Sequence, residues 1–341
     1  MSTMTPCESP IFIIGTERSG SNLLRLILDV HPEVVIPHPP HLMKYFGDLD
    51  YGDLNKLDNL RTLSQDMVKL IDTHIFPWDI ALSSETLAKQ ALEPSHFGLV
   101  AAIYERVRSQ HGVTRWGCKS TFMIKYIKET LSVYPNAQFI LLVRDPRDVA
   151  VSARKSVFSP CHPYLSAKLW NEQQALGRAA EAQLKPSQLY VLRYEDLLVD
   201  SEVVLHQICD FLKLEFTPSL LRFFEQKEAK KSANLSESWG NTARPILKNN
   251  HQKFHTELSP KDIATVEKVC QDNMQHFGYA LTTDPDTLKQ LSISRRNRLG
   301  IQSQEALMRI QIEWRSLRHD KNHWRRWKRD ATAQWFAWQH S

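Results

Sequence analysis

The chain has 341 residues, 42% of them apolar and 24% charged, the composition of a globular protein able to bury a sizeable core. Its formal charge of +5 sits at one end: residues 281–341 carry 12 Lys/Arg against 6 Asp/Glu, and the rest of the chain is nearly neutral. This excludes a continuous basic track for nucleic acid, the five cysteines show no paired or metal-ligand spacing, and no run of 18 apolar residues exists to span a membrane. Unpaired thiols and the absence of a secretory signal give a cytoplasmic location as the expectation.

In chain order, the apolar run Ile11–Ile14 stops at Gly15, and Leu23, Leu24, Ile27 and Leu28 then recur at helical spacing. The pattern predicts a buried strand, a glycine-bearing turn and a helix. Residues 34–36 form a second short strand, halted by prolines at 37, 39 and 40 that leave His38 and His41 in a stiff loop. Residues 44–112 predict helices around 60–72 and 97–110 and are expected to form much of a lid or acceptor wall. Strands follow at 115–118, 139–143 and 189–192, with helices at 123–133, from Arg147, and at 201–212. Pro260 opens a helix that runs to Phe277, and the body closes near Ala280. Strands alternating with helices, apolar on both faces, predict an α/β fold. Its central, mostly parallel sheet is covered by helices on both sides, a three-layer body over 1–280 with a helical extension over 281–341.

Two loops carry basic chemistry. Gly15-Thr16-Glu17-Arg18-Ser19-Gly20-Ser21-Asn22 joins a strand to a helix start, which aims backbone N–H groups and the positive helix end at one point. Its spacing is that of a phosphate loop, but Ser21 stands where a triphosphatase needs Lys, and Asn22 replaces the magnesium-binding Ser/Thr. A tight turn with Arg18 in solvent is the bland alternative; an anion site without triphosphate or magnesium is the functional one. The second loop, Arg144-Asp145-Pro146-Arg147-Asp148, leaves the carboxyl end of a parallel strand, where ligands bind. Ser152 lies one helical turn past Asp148, within reach of the same anion. Together the loops predict a ligand with phosphates at two separated positions.

At these residues the sequence resembles the sulfotransferases that use 3′-phosphoadenylyl sulfate (PAPS). Residues 12–24 are similar to the family's loop for the donor's 5′-phosphosulfate, and residues 142–152 to its 3′-phosphate motif. Arg193-Tyr194-Glu195-Asp196-Leu197 is similar to a third landmark that lines the nucleotide, and 245–279 to the closing segment of bacterial-type members. The resemblance covers about 11–280. It implies a P-loop-containing, nucleotide-binding-like fold and transfer of a sulfuryl group to an acceptor hydroxyl or amine, releasing adenosine 3′,5′-bisphosphate (PAP). It implies Arg18, Ser19, Gly20, Ser21, Asn22, Arg144, Ser152 and Tyr194 as donor-binding residues, with no metal required. A non-catalytic binder of PAPS or PAP and a small-molecule kinase are the alternatives.

The base is where the sequence departs from the pattern. Long-armed members place a glutamate after the His-Pro pair, whereas residues 36–41 here contain no carboxylate, and Thr121-Phe122 offers no histidine beside Lys119. His41 and His38 are the candidate bases, since imidazole is suited to take an acceptor proton. Arg18 and Lys119 are candidates to steady the transferring group. Glu17 is expected to face away from the donor or to meet a basic partner. A small molecule, carbohydrate or lipid remains open as acceptor.

The extension holds five of the nine tryptophans within 314–338, surrounded by arginines, and 301–338 contains no proline. One long helix is expected, its tryptophan stripe packed on the body or on a second copy in a homo-oligomer. Peripheral contact with an anionic membrane is the alternative.

Overall fold

The computed structural model describes residues 6–235, 237–292 and 295–340. Five parallel strands, β1 (Ile11–Gly15), β2 (Val34–Val35), β3 (Arg115–Lys119), β4 (Gln138–Val143) and β5 (Leu189–Arg193), form one sheet in the order β2-β3-β1-β4-β5. Alternation along the strands sorts the core into two layers. Phe12, Ile14, Phe139, Leu141 and Trp116 pack with helices His96–His111, Pro163–Gln183 and Pro260–His276 on one face. Ile11, Ile13, Ile140 and Leu142 pack with helices Ser21–Leu28 and Ser201–Leu212 on the other. These strands are apolar on both sides because helices cover both sides. The α/β three-layer expectation is the observed fold.

The segment expected as one helix over 123–133 is instead a 3-10 turn, Thr121–Lys125, and a short helix, Ile127–Val133, hinged at Tyr126. The extension also divides, into helices Arg295–His319 and His323–Gln339. At the break, the Asp320 carboxylate accepts the Asn322 amide at 2.8 Å, and Arg326 reaches back to both carboxylate oxygens of Glu313 at 2.9 Å. An Asx-type turn plus a bidentate ion pair folds the two helices together, which apolar periodicity does not register. Phe336 enters the main core against Phe46, and the Tyr51 ring stacks on His340 at 3.8 Å. The tryptophan stripe is not buried in the body: Trp314, Trp324, Trp327, Trp335 and Trp338 are exposed, Trp335 and Trp338 bordering a groove beside Thr62 and Lys69, because Ala333 and Phe336 supply the buried face. Among the described residues no helix is long and apolar enough to cross a membrane.

Candidate active site

The carboxyl edges of all five strands open into one cleft of about 390 Å³. Sheet order fixes what lies where. Reading across the edge, β2 leads to His38 and His41, β3 ends on Lys119, β1 leads to Arg18, β4 to Arg144 and β5 to Tyr194. Adjacent strands lie about 4.8 Å apart, so these groups form a row that an extended ligand can follow.

The first loop begins with a turn in which the Ser19 amide donates to the Thr16 carbonyl at 3.3 Å. Its third residue, Arg18, is held at φ 71°, a left-handed conformation that side chains adopt at a cost. That strain turns the Arg18 guanidinium toward helix Pro146–Ala153, where Nε donates to Ser152 Oγ at 3.1 Å. Gly20 follows at φ 94°, capping the next helix, and a Cβ there would enter the Tyr194 ring. Glycine is therefore required twice over, by backbone and by contact. Gly20, Ser21 and Asn22 line the cleft at the positive end of helix Ser21–Leu28. Ser19 does not line it. Its N–H closes the turn and its hydroxyl is buried without a partner, so the expected amide cradle is shorter by one residue. The Asn22 side chain also turns inward, donating to Ser232 Oγ at 2.9 Å and accepting from Arg25 at 3.0 Å. Arg25 in turn donates to the Ile36 carbonyl at 3.1 Å, fixing the start of the histidine loop.

In the second loop the two arginines part. Arg147 is spent on structure, paired with Asp145 at 2.7 Å and Glu267 at 2.5 Å. Arg144 faces the cleft. It donates to the main-chain carbonyls of Arg18 at 3.1 Å and Asn250 at 3.2 Å, and its guanidinium lies 4.6 Å above the Tyr194 ring. The Arg144 Nε is buried with no partner. Asn250 Nδ2 donates to the Tyr194 hydroxyl at 2.7 Å, and Asp148 accepts the amides of Gln252 and Phe254, clamping that closing loop over the site. Sequence reasoning missed Asn250, whose role depends on a main-chain carbonyl and a distant tyrosine. Of the basic pair after Ser152, Lys155 meets Glu257 at 2.8 Å and Arg154 meets Asp262 at 2.6 Å.

Arg18 and Arg144 are thus neighbouring like charges in a buried place, with Asp148 3.9 Å from Arg144 and the field of Glu17 acting on Arg18. Burial first, and Arg144 second, pull the Arg18 guanidinium down to about 10. Lys119, also buried, is pulled down to about 7 by burial and by Arg25. An orphaned guanidinium nitrogen and clustered buried cations make a donor set whose chemistry fits a nucleotide with phosphates at both ends.

At the β2 end, His41 at φ 56° caps a short helix and its Nδ1 lies 2.9 Å from Ser120 Oγ, leaving Nε2 available to a ligand. Burial, then Lys119 and Lys44, hold the imidazole well below its ordinary pKa, so the ring is neutral and can accept a proton. His38 is buried against Phe76 and Trp239 at ring distances of 5.3 and 5.0 Å, and neither of its ring nitrogens has a partner. The loop between them is pinned by His74, whose Nε2 meets the Pro39 carbonyl at 3.0 Å. Glu17 does not face away. It lines the cleft, accepts from the Ser159 hydroxyl at 3.1 Å, and lies in the fields of Arg18, Lys44 and Lys119. Of the aromatics over 44–112, Tyr45 reaches the cleft whereas Phe46, Phe97 and Tyr104 are core.

The profile of the sulfotransferase family matches residues 10–218. This chain belongs to the sulfotransferase family. Its relatives include a putative protein-tyrosine sulfotransferase of Caenorhabditis briggsae, 25% identical over 64% of this chain and 70% of that protein. Omega-hydroxy-beta-dihydromenaquinone-9 sulfotransferase Stf3 of Mycobacterium tuberculosis is 28% identical over 61% of this chain and 63% of its own length. The chain spans only 40% of human carbohydrate sulfotransferase 2 and 29% of an uncharacterised Aquifex aeolicus protein. Among solved structures, the sulfotransferase domain of the Synechococcus olefin synthase superposes with a TM-score of 0.56 at 20% identity, covering 82% of this chain and 98% of that domain. The domain from the curacin pathway gives 0.57 at 21% identity, over 81% and 100%. This family member shares their fold.

Proposed function

We propose that the protein transfers a sulfuryl group from PAPS to a hydroxyl or amine of an acceptor. The observation that carries this reading is the cross-linked arginine pair: Arg144 bonded to the Arg18 carbonyl, and Arg18 bonded to Ser152, with one cation on each anion loop. Arg144 and Ser152 would hold the 3′-phosphate. Arg18, with the amides of Gly20, Ser21 and Asn22, would hold the 5′-phosphate, and Tyr194 would line the base or ribose between them. The donor supplies an SO₃ unit already activated on that phosphate. As the S–O bond to the phosphate breaks and the bond to the acceptor forms, negative charge grows on the leaving oxygen, where Arg18 and Lys119 can neutralise it. The acceptor proton passes to Nε2 of His41, the neutral base at the opposite end of the row, with His38 as the second imidazole in reach of the cleft. Sheet order supports this division, since β3 and β1 separate the base from the 3′-phosphate loop.

The test is a titration of PAP and of ATP with and without magnesium, followed by mass-spectrometric screening for PAPS-dependent gain of SO₃ in metabolite extracts. Tight PAP binding without metal together with sulfated product supports the reading. A preference for ATP with magnesium would replace it with a kinase. PAP binding with no product from any acceptor class, small-molecule, carbohydrate or lipid, would leave a nucleotide-binding protein.

A specific observation also bears on the extension. Its exposed tryptophans alternate with Arg315, Arg318, Arg325 and Lys328, and the Arg318 guanidinium lies 3.4 Å over the Trp314 ring. A two-fold interface through this face would bring one basic surface against another, whereas an anionic lipid surface complements it. We assign this face to peripheral membrane contact in preference to a homo-oligomer.

A further inference from the structure

The cleft holds more positive charge than the donor reading uses. Beyond the row of donor-binding groups, on the β2 side, Lys44 and Arg329 line the same cavity. They come from opposite ends of the chain: Lys44 from the short helix Leu42–Phe46 and Arg329 from the extension helix His323–Gln339. Arg329 is only 5% exposed, held there because Phe336 and Ala333 of its helix are built into the core. One edge of its guanidinium, Nε and Nη2, meets Asp330 at 3.2 and 2.9 Å, but that carboxylate is 43% exposed. Arg329 Nη1 has no partner among the described residues. The Lys44 ammonium makes no salt bridge among the described residues; it rests 4.4 Å from the Phe122 ring and 5.4 Å from the Tyr45 ring. Tyr45 is also the ring beneath Arg329, at 5.9 Å, so one aromatic floor carries both cations.

Glu17 is the acid within this corner: its field acts on Lys44 and Lys119, and its carboxylate also accepts from the Ser159 hydroxyl. Lys119 adds to the corner's positive side, and the Phe122 ring that carries Lys44 at 4.4 Å also packs edge-on against the neutral His41 at 5.7 Å. The pair therefore belongs to the acceptor end and not to the donor. Two buried or half-buried cations, one with an unpartnered nitrogen, beside a neutral histidine, describe a place for an anion next to the atom that loses its proton.

We propose that Lys44 and Arg329 form an oxyanion subsite, and that the natural acceptor is an acidic molecule whose carboxylate docks there while its hydroxyl or amine faces His41. This rests on the sulfotransferase reading and narrows its acceptor class. The extension thereby contributes a substrate-selecting residue to a cleft otherwise built by the body.

The experiment uses the full chain saturated with PAP and three probes measured by calorimetry or saturation-transfer NMR: 4-hydroxyphenylacetate, its neutral amide, and 4-hydroxybenzenesulfonate. The expected result is carboxylate binding about tenfold tighter than the amide, the size of one charge-assisted contact. Arg329→Gln and Lys44→Met should each bring the acid close to the amide while leaving PAP affinity within about twofold. Lys44→Met serves as the independent variant should Arg329→Gln lower the melting temperature. Equal binding of acid and amide, no measurable binding of the acid, or a preference that survives both substitutions overturns the subsite. A sulfonate bound more tightly than the carboxylate overturns the choice of carboxylate and assigns the pair to a sulfated or phosphorylated acceptor. If PAP itself does not bind, the donor reading fails separately, and the acid–amide comparison on the free protein still decides this one.

Discussion

Arg144 donates from Nη1 to the main-chain carbonyl of Arg18 at 3.1 Å, so the second anion loop is bonded to the backbone of the first. The two loops leave neighbouring strands, β1 and β4, and this bond makes them one rigid site. Arg18 then returns the connection through Ser152 at 3.1 Å.

If Arg144 and Ser152 read the 3′-phosphate, Arg144→Ala should weaken PAP far more than adenosine 5′-phosphosulfate, which has no phosphate there. Charge-assisted bonds are worth around 1.5–3 kcal/mol each, so the selective loss is about tenfold or greater. Calorimetric titration of both nucleotides checks it. Equal weakening of the two would show that Arg144 acts only through the Arg18 carbonyl.

His41→Gln should lose roughly 10²–10⁴-fold in turnover with donor affinity almost unchanged, as expected for a general base. Because its pKa lies below the ordinary histidine value, the group stays deprotonated as pH falls through 6.5. The acidic limb of kcat/KM should therefore lie below pH 6.5. His38→Gln provides the comparison, and normal turnover in both variants and in the double variant would remove the histidines from the chemistry.

Lys119 has a pKa of about 7 in the free protein, so at pH 8 most of it carries no charge. An anion beside it favours the protonated form and raises that pKa. PAP binding at pH 8 should therefore take up protons, visible as a binding enthalpy that depends on the buffer's ionisation enthalpy. Lys119→Met should abolish the uptake, and donor affinity in the unmodified protein should fall as pH rises through about 7. Uptake that persists in the variant would assign the proton to another group.

Gly20→Ala places a Cβ in the Tyr194 ring and keeps a side chain at φ 94°. Strain of this kind costs about 1–3 kcal/mol. The variant should melt at lower temperature and bind PAP more weakly, whereas Gly112→Ala, at φ 66° with open space around it, should lose stability without losing donor affinity. Equal donor affinity in the Gly20 variant would mean that Tyr194 can move aside.

Trp324→Gln with Trp327→Gln removes the centre of the exposed basic-aromatic face. The double variant should no longer sediment with phosphatidylglycerol vesicles, and the unmodified protein should release them at high salt, since exposed charge attraction is screened. A dimer that dissociates in the variant, without vesicle binding in either protein, would give the face to a second copy.

The sequence by itself did not register the helix Pro163–Gln183, but it determined the five strands, several of the helices that cover them and both basic loops. Each is a local pattern: an apolar run that stops at Gly15 or at Arg144, followed by helix-spaced leucines or by a proline at a helix start. It also marked His38 and His41, because prolines on either side force that stretch out of helix and strand. Four facts needed the tertiary structure. The Ser19 amide was lost to a turn that forms only when Arg18 takes a left-handed conformation. Arg144 and Arg147, three residues apart in one motif, diverge because Glu267 from a distant helix claims Arg147. Glu17 lies in the cleft among Arg18, Lys44 and Lys119, with a hydroxyl from residue 159 donating to it. Arg329 reaches the cleft because Phe336, one of many aromatics in its helix, finds a place beside Phe46. Which of several equivalent side chains is buried depends on the surface that meets it, and that surface is assembled from residues hundreds of positions away.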